Sequence, residues 1–233
     1  MSGPALLLVF SEPGSDLPLA EFTDWYDNEH VPLRMTQFTS FLTGARYHTP
    51  AQSGSTTSAQ NPGWAAFYDL ATSNALEEPA YVHLRNNRSA RETSVIEKLD
   101  VLDRRTYEVV ADSGESGEAT SFGVDNPTKW VRTIGFEAHA VPEGWAEKAV
   151  AQQRGEEGWI RTRIYRFVEG GKRGVGLSQS EVDQRVPQFL LVHEAKNEQS
   201  LGSFKVDAAD LEIQEDRQWE LYKAWPNTAS VQA

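Results

Sequence analysis

Two stretches of this sequence, FLTGARYH from Phe41 and WIRTRIYR from Trp159, align without a gap and set Tyr47 opposite Tyr165. A second pair, FYDLATSNAL and VHEAKNEQSL, comes next in the same order and sets Tyr68 opposite His193. Strand-like segments that recur in one order mark an internal repeat, and a repeat restricts a chain to folds in which one unit is used twice. At 233 residues each copy has roughly 115, enough to bury a core of its own.

Hydrophobic period and turn residues give the element order of the first copy. Strands are expected at residues 5–10, 41–48, 64–70 and 105–110. A helix spans 18–31, with Pro32 ending it by disfavouring the α conformation at Val31. Ser73 or Asn74 caps a second helix that Pro79 interrupts, and Ser89 with Glu92 reads as a capping box for its continuation to Leu99. The order is βαββαβ, a ferredoxin-like unit. After ADSGESGEATSFGVDNP (111–127), a small polar run read as an exposed linker, the order returns: strands at 130–139, 159–167, 188–194 and 219–225, with short helices at 142–153 and around 199–204. EGGKRGVG (169–176) reads as a turn between two strands.

A four-stranded sheet with helices on one face leaves the other face open, and Trp64 to Leu70 alternates apolar residues on both sides. The two sheets therefore cover one another. The expected fold is α+β: two tandem ferredoxin-like units whose antiparallel sheets pack into one α+β barrel, a pseudo-dimer with helices outside. The halves divide at 1–115, carrying the candidate site, and 116–233, a diverged copy whose first helix has no Glu-His pair.

The inventory excludes several classes. There is no cysteine, so disulfides, thiolate nucleophiles and Cys-ligated metal are ruled out. With 22 basic against 34 acidic residues, net charge −12, the chain repels phosphate backbones and anionic lipid. No run of about 20 apolar residues exists to span a bilayer, and no basic segment precedes the first strand. The partner expected is a small hydrophobic molecule, not nucleic acid or membrane, in a cytoplasmic protein; homodimerisation is left open. No local His/Asp/Glu spacing suggests a metal site.

The helix FTDWYDNEHVPLRM concentrates the chemistry. At a hundred degrees per residue Phe22, Trp25, Tyr26, Glu29 and Leu33 share one face, with His30 at its margin. In one reading His30 exchanges protons near neutral pH while Glu29 or Tyr26 fixes its tautomer. In the other His30 caps the helix and Glu29 pairs with Arg34 or Arg46. Trp25, Phe41, Phe67, Tyr81 and His83 are the candidate binding residues, although aromatic residues of this kind also build cores. Arg85, Arg88 and Arg91 recur every three residues, Arg104 and Arg105 follow, and the group reads either as an attractor for a carboxylate or phenolate at the pocket mouth or as a solvated salt-bridged face. His139 and His193 fall on strands of the second copy.

WYDNEHVPLRM, with ALLLVF before it and AYVHLRNNRSARE and DRRTYE after it, resembles the dimeric α+β barrel proteins, especially fungal sequences related to the EthD family. The resemblance covers residues 5–110. It implies a cavity between sheet and helices in which a histidine, by motif position His30, acts as acid or base on an aromatic or polyketide-like molecule without a cofactor. Cyclisation, isomerisation, decarboxylation and oxygenation all occur among such barrels. The alternatives are a haem-dependent enzyme and a non-catalytic binding barrel.

Overall fold

Alternation along β1 (Ala5–Pro13) sorts the molecule into two layers. Leu6, Leu8 and Phe10 point into a barrel, whereas Ala5, Leu7 and Val9 point outward against helices. The computed structural model describes residues 2–51, 56–114, 116–138, 143–202 and 211–229; His139 lies outside them.

The remaining strands are β2 (Gly44–His48), β3 (Trp64–Leu70), β4 (Leu99–Asp112), β5 (Trp130–Ala138), β6 (Trp159–Arg173), β7 (Phe189–Ala195) and β8 (Leu211–Trp225). They close into one barrel in the order β1-β3-β2-β8-β5-β7-β6-β4, every pair antiparallel. The first copy contributes β4-β1-β3-β2 and the second β6-β7-β5-β8, the same ferredoxin-like order twice. The copies join along two seams, β2 with β8 and β4 with β6. Closure leaves neither sheet with a free edge.

The barrel interior is apolar with two internal ion-pair clusters. Arg105 bonds Asp103 and Glu215, each at 2.7 Å, and Arg163 bonds Asp69 at 2.7 Å and Glu194 at 3.0 Å. The expected linker is not an exposed tether. Phe122 enters the barrel and packs on Phe67 and Tyr47, with ring centroids 4.8 and 6.0 Å away. Ser121 and Thr128 donate to the buried Glu194 carboxylate at 3.2 and 2.9 Å. One phenylalanine in a polar run is enough to turn that run into a plug, because burying its ring outweighs ordering its polar neighbours.

Outside the first sheet lie α1 (Leu19–Trp25), α2 (Val31–Gln37), α3 (Pro79–Asn86) and α4 (Ala90–Lys98). Pro32 does not end the first helix. Tyr26 to His30 form a π turn between α1 and α2, in which the Val31 N–H reaches back to the Tyr26 carbonyl. The wider turn admits the proline ring and asks nothing of its missing N–H. The inserted residue also rotates the C-terminal part by about 100° relative to a continuous helix. His30 and Arg34 thereby turn toward the sheet, and Glu29 moves to the rim.

The second copy carries α5 (Trp145–Ala151) and two shorter helices, α6 (Gln179–Val182) and α7 (Glu198–Gly202). Strand β6 runs six residues past its expected end. Gly170 permits this, since a Cβ there would stand 2.6 Å from the Arg104 carbonyl oxygen. The glycine-rich run is therefore strand as far as Arg173, paired with β4. Among the described residues no helix is long and apolar enough to cross a membrane.

Candidate active site

A cavity of about 360 Å³ lies between the outer face of the first sheet and its helices. Leu7, Val9, Tyr68, Leu102, Arg104 and Thr106 form the sheet side. His30, Arg34, Tyr81 and Ile96 come from the helices, and Glu92 sits in the first turn of α4. Residues 169–173 of β6 supply a third side, so the second copy helps to enclose a site placed by sequence in the first.

His30 is nearly enclosed, and its Nδ1 lies 3.1 Å from Glu92 Oε1. A carboxylate only accepts, so Nδ1 carries the proton and Nε2 keeps its lone pair. Burial first, then the charges of Arg34 and Arg104, lower the His30 pKa to about 3 against the opposing pull of Glu92. The imidazole is therefore neutral at physiological pH. Glu92 is itself buried; its hydrogen bond to His30 and the nearby Arg34 overcome that burial and hold its carboxyl below the ordinary glutamate value.

Ser89 positions this pair. Its hydroxyl accepts from the Glu92 N–H at 2.9 Å, capping α4 as expected. The reciprocal half of the capping box is missing, since the Glu92 side chain turns inward to His30. Arg34 is fixed from the same side, donating to the His30 carbonyl at 2.6 Å and standing 3.8 Å from Glu92. Its guanidinium lies 5.8 Å from the Tyr81 ring centre. Burial pushes the Tyr81 phenol up, but Arg34, Arg104 and Arg85 together more than offset it, and its pKa falls below the ordinary tyrosine value. Tyr68 is buried, its hydroxyl has no partner among the described residues, and burial raises its pKa.

The expected residues separate into three groups. His30 and Tyr81 line the cavity. Trp25 and Tyr26 stack behind His30, with ring centroids 4.5 and 5.0 Å from it, and Phe41 packs on Tyr81 at 5.4 Å; they support the wall without forming it. Glu29, Phe67 and His83 do not reach it. Glu29 accepts from the Ser89 hydroxyl and stands 3.8 Å from Arg91, so it pairs with neither Arg34 nor Arg46 and leaves the orienting of His30 to Glu92. Phe67 alternates with Tyr68 and so faces the barrel interior. His83 is exposed on the outer side of α3, where Asn87 bonds it. In the second copy His193, the counterpart of Tyr68, is buried against Thr162 at 3.0 Å; burial and then Arg132 lower its pKa to about 4.

Sequence reasoning missed Glu92 and the β6 arm as site residues, whereas Arg104, read with Arg85 and Arg88 as a candidate anion attractor, does line the cavity. The one available signal for Glu92 was a capping glutamate lying between a buried helix face and a histidine-bearing helix. Among the described residues no three His, Asp or Glu side chains are grouped to hold a metal ion.

No protein-family profile matches the chain, and no curated protein matches it in sequence. Solved structures do match its shape. An anthrone oxidase-like protein superposes with a TM-score of 0.57 at 11% identity, covering 97% of this chain and 93% of its own. A candidate monooxygenase of Fusobacterium nucleatum gives 0.50 at 11% identity, with 97% and 95% covered. One of Lactobacillus acidophilus gives 0.50 at 10%, with 97% of each chain covered. The chain thus has the fold of the dimeric α+β barrel superfamily, with both barrel halves in one polypeptide.

Proposed function

We propose that this EthD-type barrel is a cofactor-independent enzyme acting on a hydrophobic, oxygenated, aromatic or polyketide-like molecule by general acid–base chemistry. The observation that carries the reading is the His30–Glu92 pair on the wall of a cavity whose volume suits a small ligand. Glu92 holds the Nδ1 proton and stays as counter-ion to the imidazolium, and Nε2, whose basicity burial and Arg34 hold low in the empty site, takes a proton from an acidic carbon or phenol as the substrate anion forming beside it offsets the arginine charge. The negative charge left on the substrate oxygen is stabilised by Arg34 and the Tyr81 hydroxyl. Cyclisation, isomerisation and oxygenation begin with this deprotonation and differ in the fate of the carbanion or phenolate, whereas in decarboxylation the same groups stabilise the carbanion left by loss of CO2 and return a proton to it.

The names of the fold neighbours suggest a probe. Anthrone has an acidic methylene, and its exchange with deuterium, monitored by proton NMR without oxygen, reports proton abstraction independently of any later step. Exchange faster than in buffer supports the reading; exchange at the buffer rate contradicts it. In the haem-dependent alternative His30 would be the residue to hold the group, which would supply oxidation–reduction chemistry beside the same lining. A Soret band after incubation with haemin would favour that alternative.

A further inference from the structure

Arg85, Arg88, Arg104 and Arg173 all line the cavity, and among the described residues none of them forms an ion pair. The carboxylates beside them are Glu92, already engaged by His30 and Arg34, and Glu169 on β6. In total the described lining holds six basic side chains against two acidic. Such an excess runs against the composition of a chain with net charge −12, in which most arginines have a carboxylate at hand. Their neighbour Arg91 shows the contrast, pairing with Asp24 and Glu29 on the outer side. The unpaired arginines also weaken one another: after burial, the largest influences on Arg173 are the charges of Arg88, Arg104 and Arg85. Cations held together without a counter-ion raise the free energy of the empty protein, and a bound anion relieves it.

The apolar part of the lining is continuous with this cluster in the fold. Arg104 lies opposite Val9 on one side and Gly171 on the other, and Leu102 lies opposite Arg173. Gly171 contributes no side chain, and a Cβ there would meet nothing within 4 Å, so the space on β6 opposite Arg104 is open. We infer that the ligand is an aromatic carboxylic acid, its carboxylate held by Arg88, Arg104 and Arg173 and its apolar body set against Leu7, Val9 and Leu102. The assignment rests on the proposed function for the placing of the reactive atom at His30, and adds the charge of the substrate. It also makes the second copy a part of the site, through Arg173. Planar guanidinium forks match a carboxylate in two parallel hydrogen bonds, which favours this anion over a diffuse negative field.

The test is calorimetric titration of the full chain with naphthoate, naphthamide and naphthyl phosphate, at low salt and at physiological salt. Naphthoate should bind about tenfold or more tightly than naphthamide, the effect of one charge-assisted contact. Arg88→Gln and Arg173→Gln should each remove most of that preference, while Arg91→Gln should keep it. The Arg173 variant lies on an exposed strand end, so misfolding does not obscure the result. Equal binding of acid and amide would overturn the inference, as would a preference unchanged in both arginine variants or tighter binding of the phosphate. Binding with His30→Ala separates the two claims. Retained naphthoate preference without proton exchange by the wild type would leave the anion site standing and remove the acid–base reading.

Discussion

His30 and Glu92 are 62 positions apart in the chain, yet Nδ1 and Oε1 meet at 3.1 Å because a π turn rotates one inward and an N-terminal cap fixes the other. Two local irregularities thus assemble the site. Neither a continuous α-helix through Pro32 nor a complete capping box at Ser89 would give this contact.

Glu92→Gln keeps the shape of the carboxylate but no longer demands that Nδ1 be the protonated nitrogen. We expect exchange activity to fall about tenfold to a hundredfold while the fold persists. Glu92→Ala should also destabilise, by about 3 kcal/mol, since it strips the buried Arg34 of its nearest carboxylate. Urea unfolding and exchange rates of the two variants check both statements. A Gln variant as active as wild type would leave Glu92 a structural residue only.

Stability should fall with acidification in a window set by two histidines. His30 and His193 are held neutral in the folded protein, with pKa values of about 3 and 4 against 6.5 when unfolded. Between 6.5 and those values the unfolded chain binds protons that the folded chain refuses, so stability present above pH 6.5 declines as pH drops. Around His30 the opposing groups are Arg34 and Arg104, which depress it, and Glu92, which raises it. Thermal midpoints from pH 7 to 4 should show a shallower decline for His30→Phe than for wild type. Equal slopes would mean that His30 is protonated in the fold.

The repeat, the strand order within each copy and the closing of sheet on sheet were legible because alternation is a local property of the sequence. That same alternation separates Phe67 from Tyr68, so placing Phe67 in the cavity contradicted information already present. Other features were not local. Pro32 reads as a helix terminator until the π turn before it is known. Phe122 is one apolar residue among polar ones, and only the barrel mouth that receives it gives it a role. Glycines at 170 and 171 resemble a turn, although there Gly170 lets β6 lie close to β4 and Gly171 faces open space beside Arg104.

Phe122→Ala should cost about 3 kcal/mol or more, the range for removing a fully buried aromatic ring. Urea denaturation measures it directly. A loss below about 0.5 kcal/mol, ordinary for surface positions, would mean that the plug is not formed in solution.

Residues 1–115 expressed alone should form a homodimer or aggregate. Their sheet would expose the apolar inner face and two unpaired edges, β2 and β4, which β8 and β6 cover in the whole chain. Sedimentation and NMR dispersion decide the matter. A stable monomer with native-like dispersion would show that the first copy is independent of the second.

The central claim is that His30 carries the proton, and the rate of anthrone exchange in His30→Ala, measured beside its thermal midpoint, tests it most directly. His83→Ala serves as the external control, since that ring lies outside the cavity. We predict a loss of about 10² to 10⁴ for His30→Ala with the fold retained, and near wild-type exchange for His83→Ala. Exchange in a folded His30→Ala protein at the wild-type rate would contradict the account and leave the His30–Glu92 pair as a buried hydrogen bond with a structural role alone.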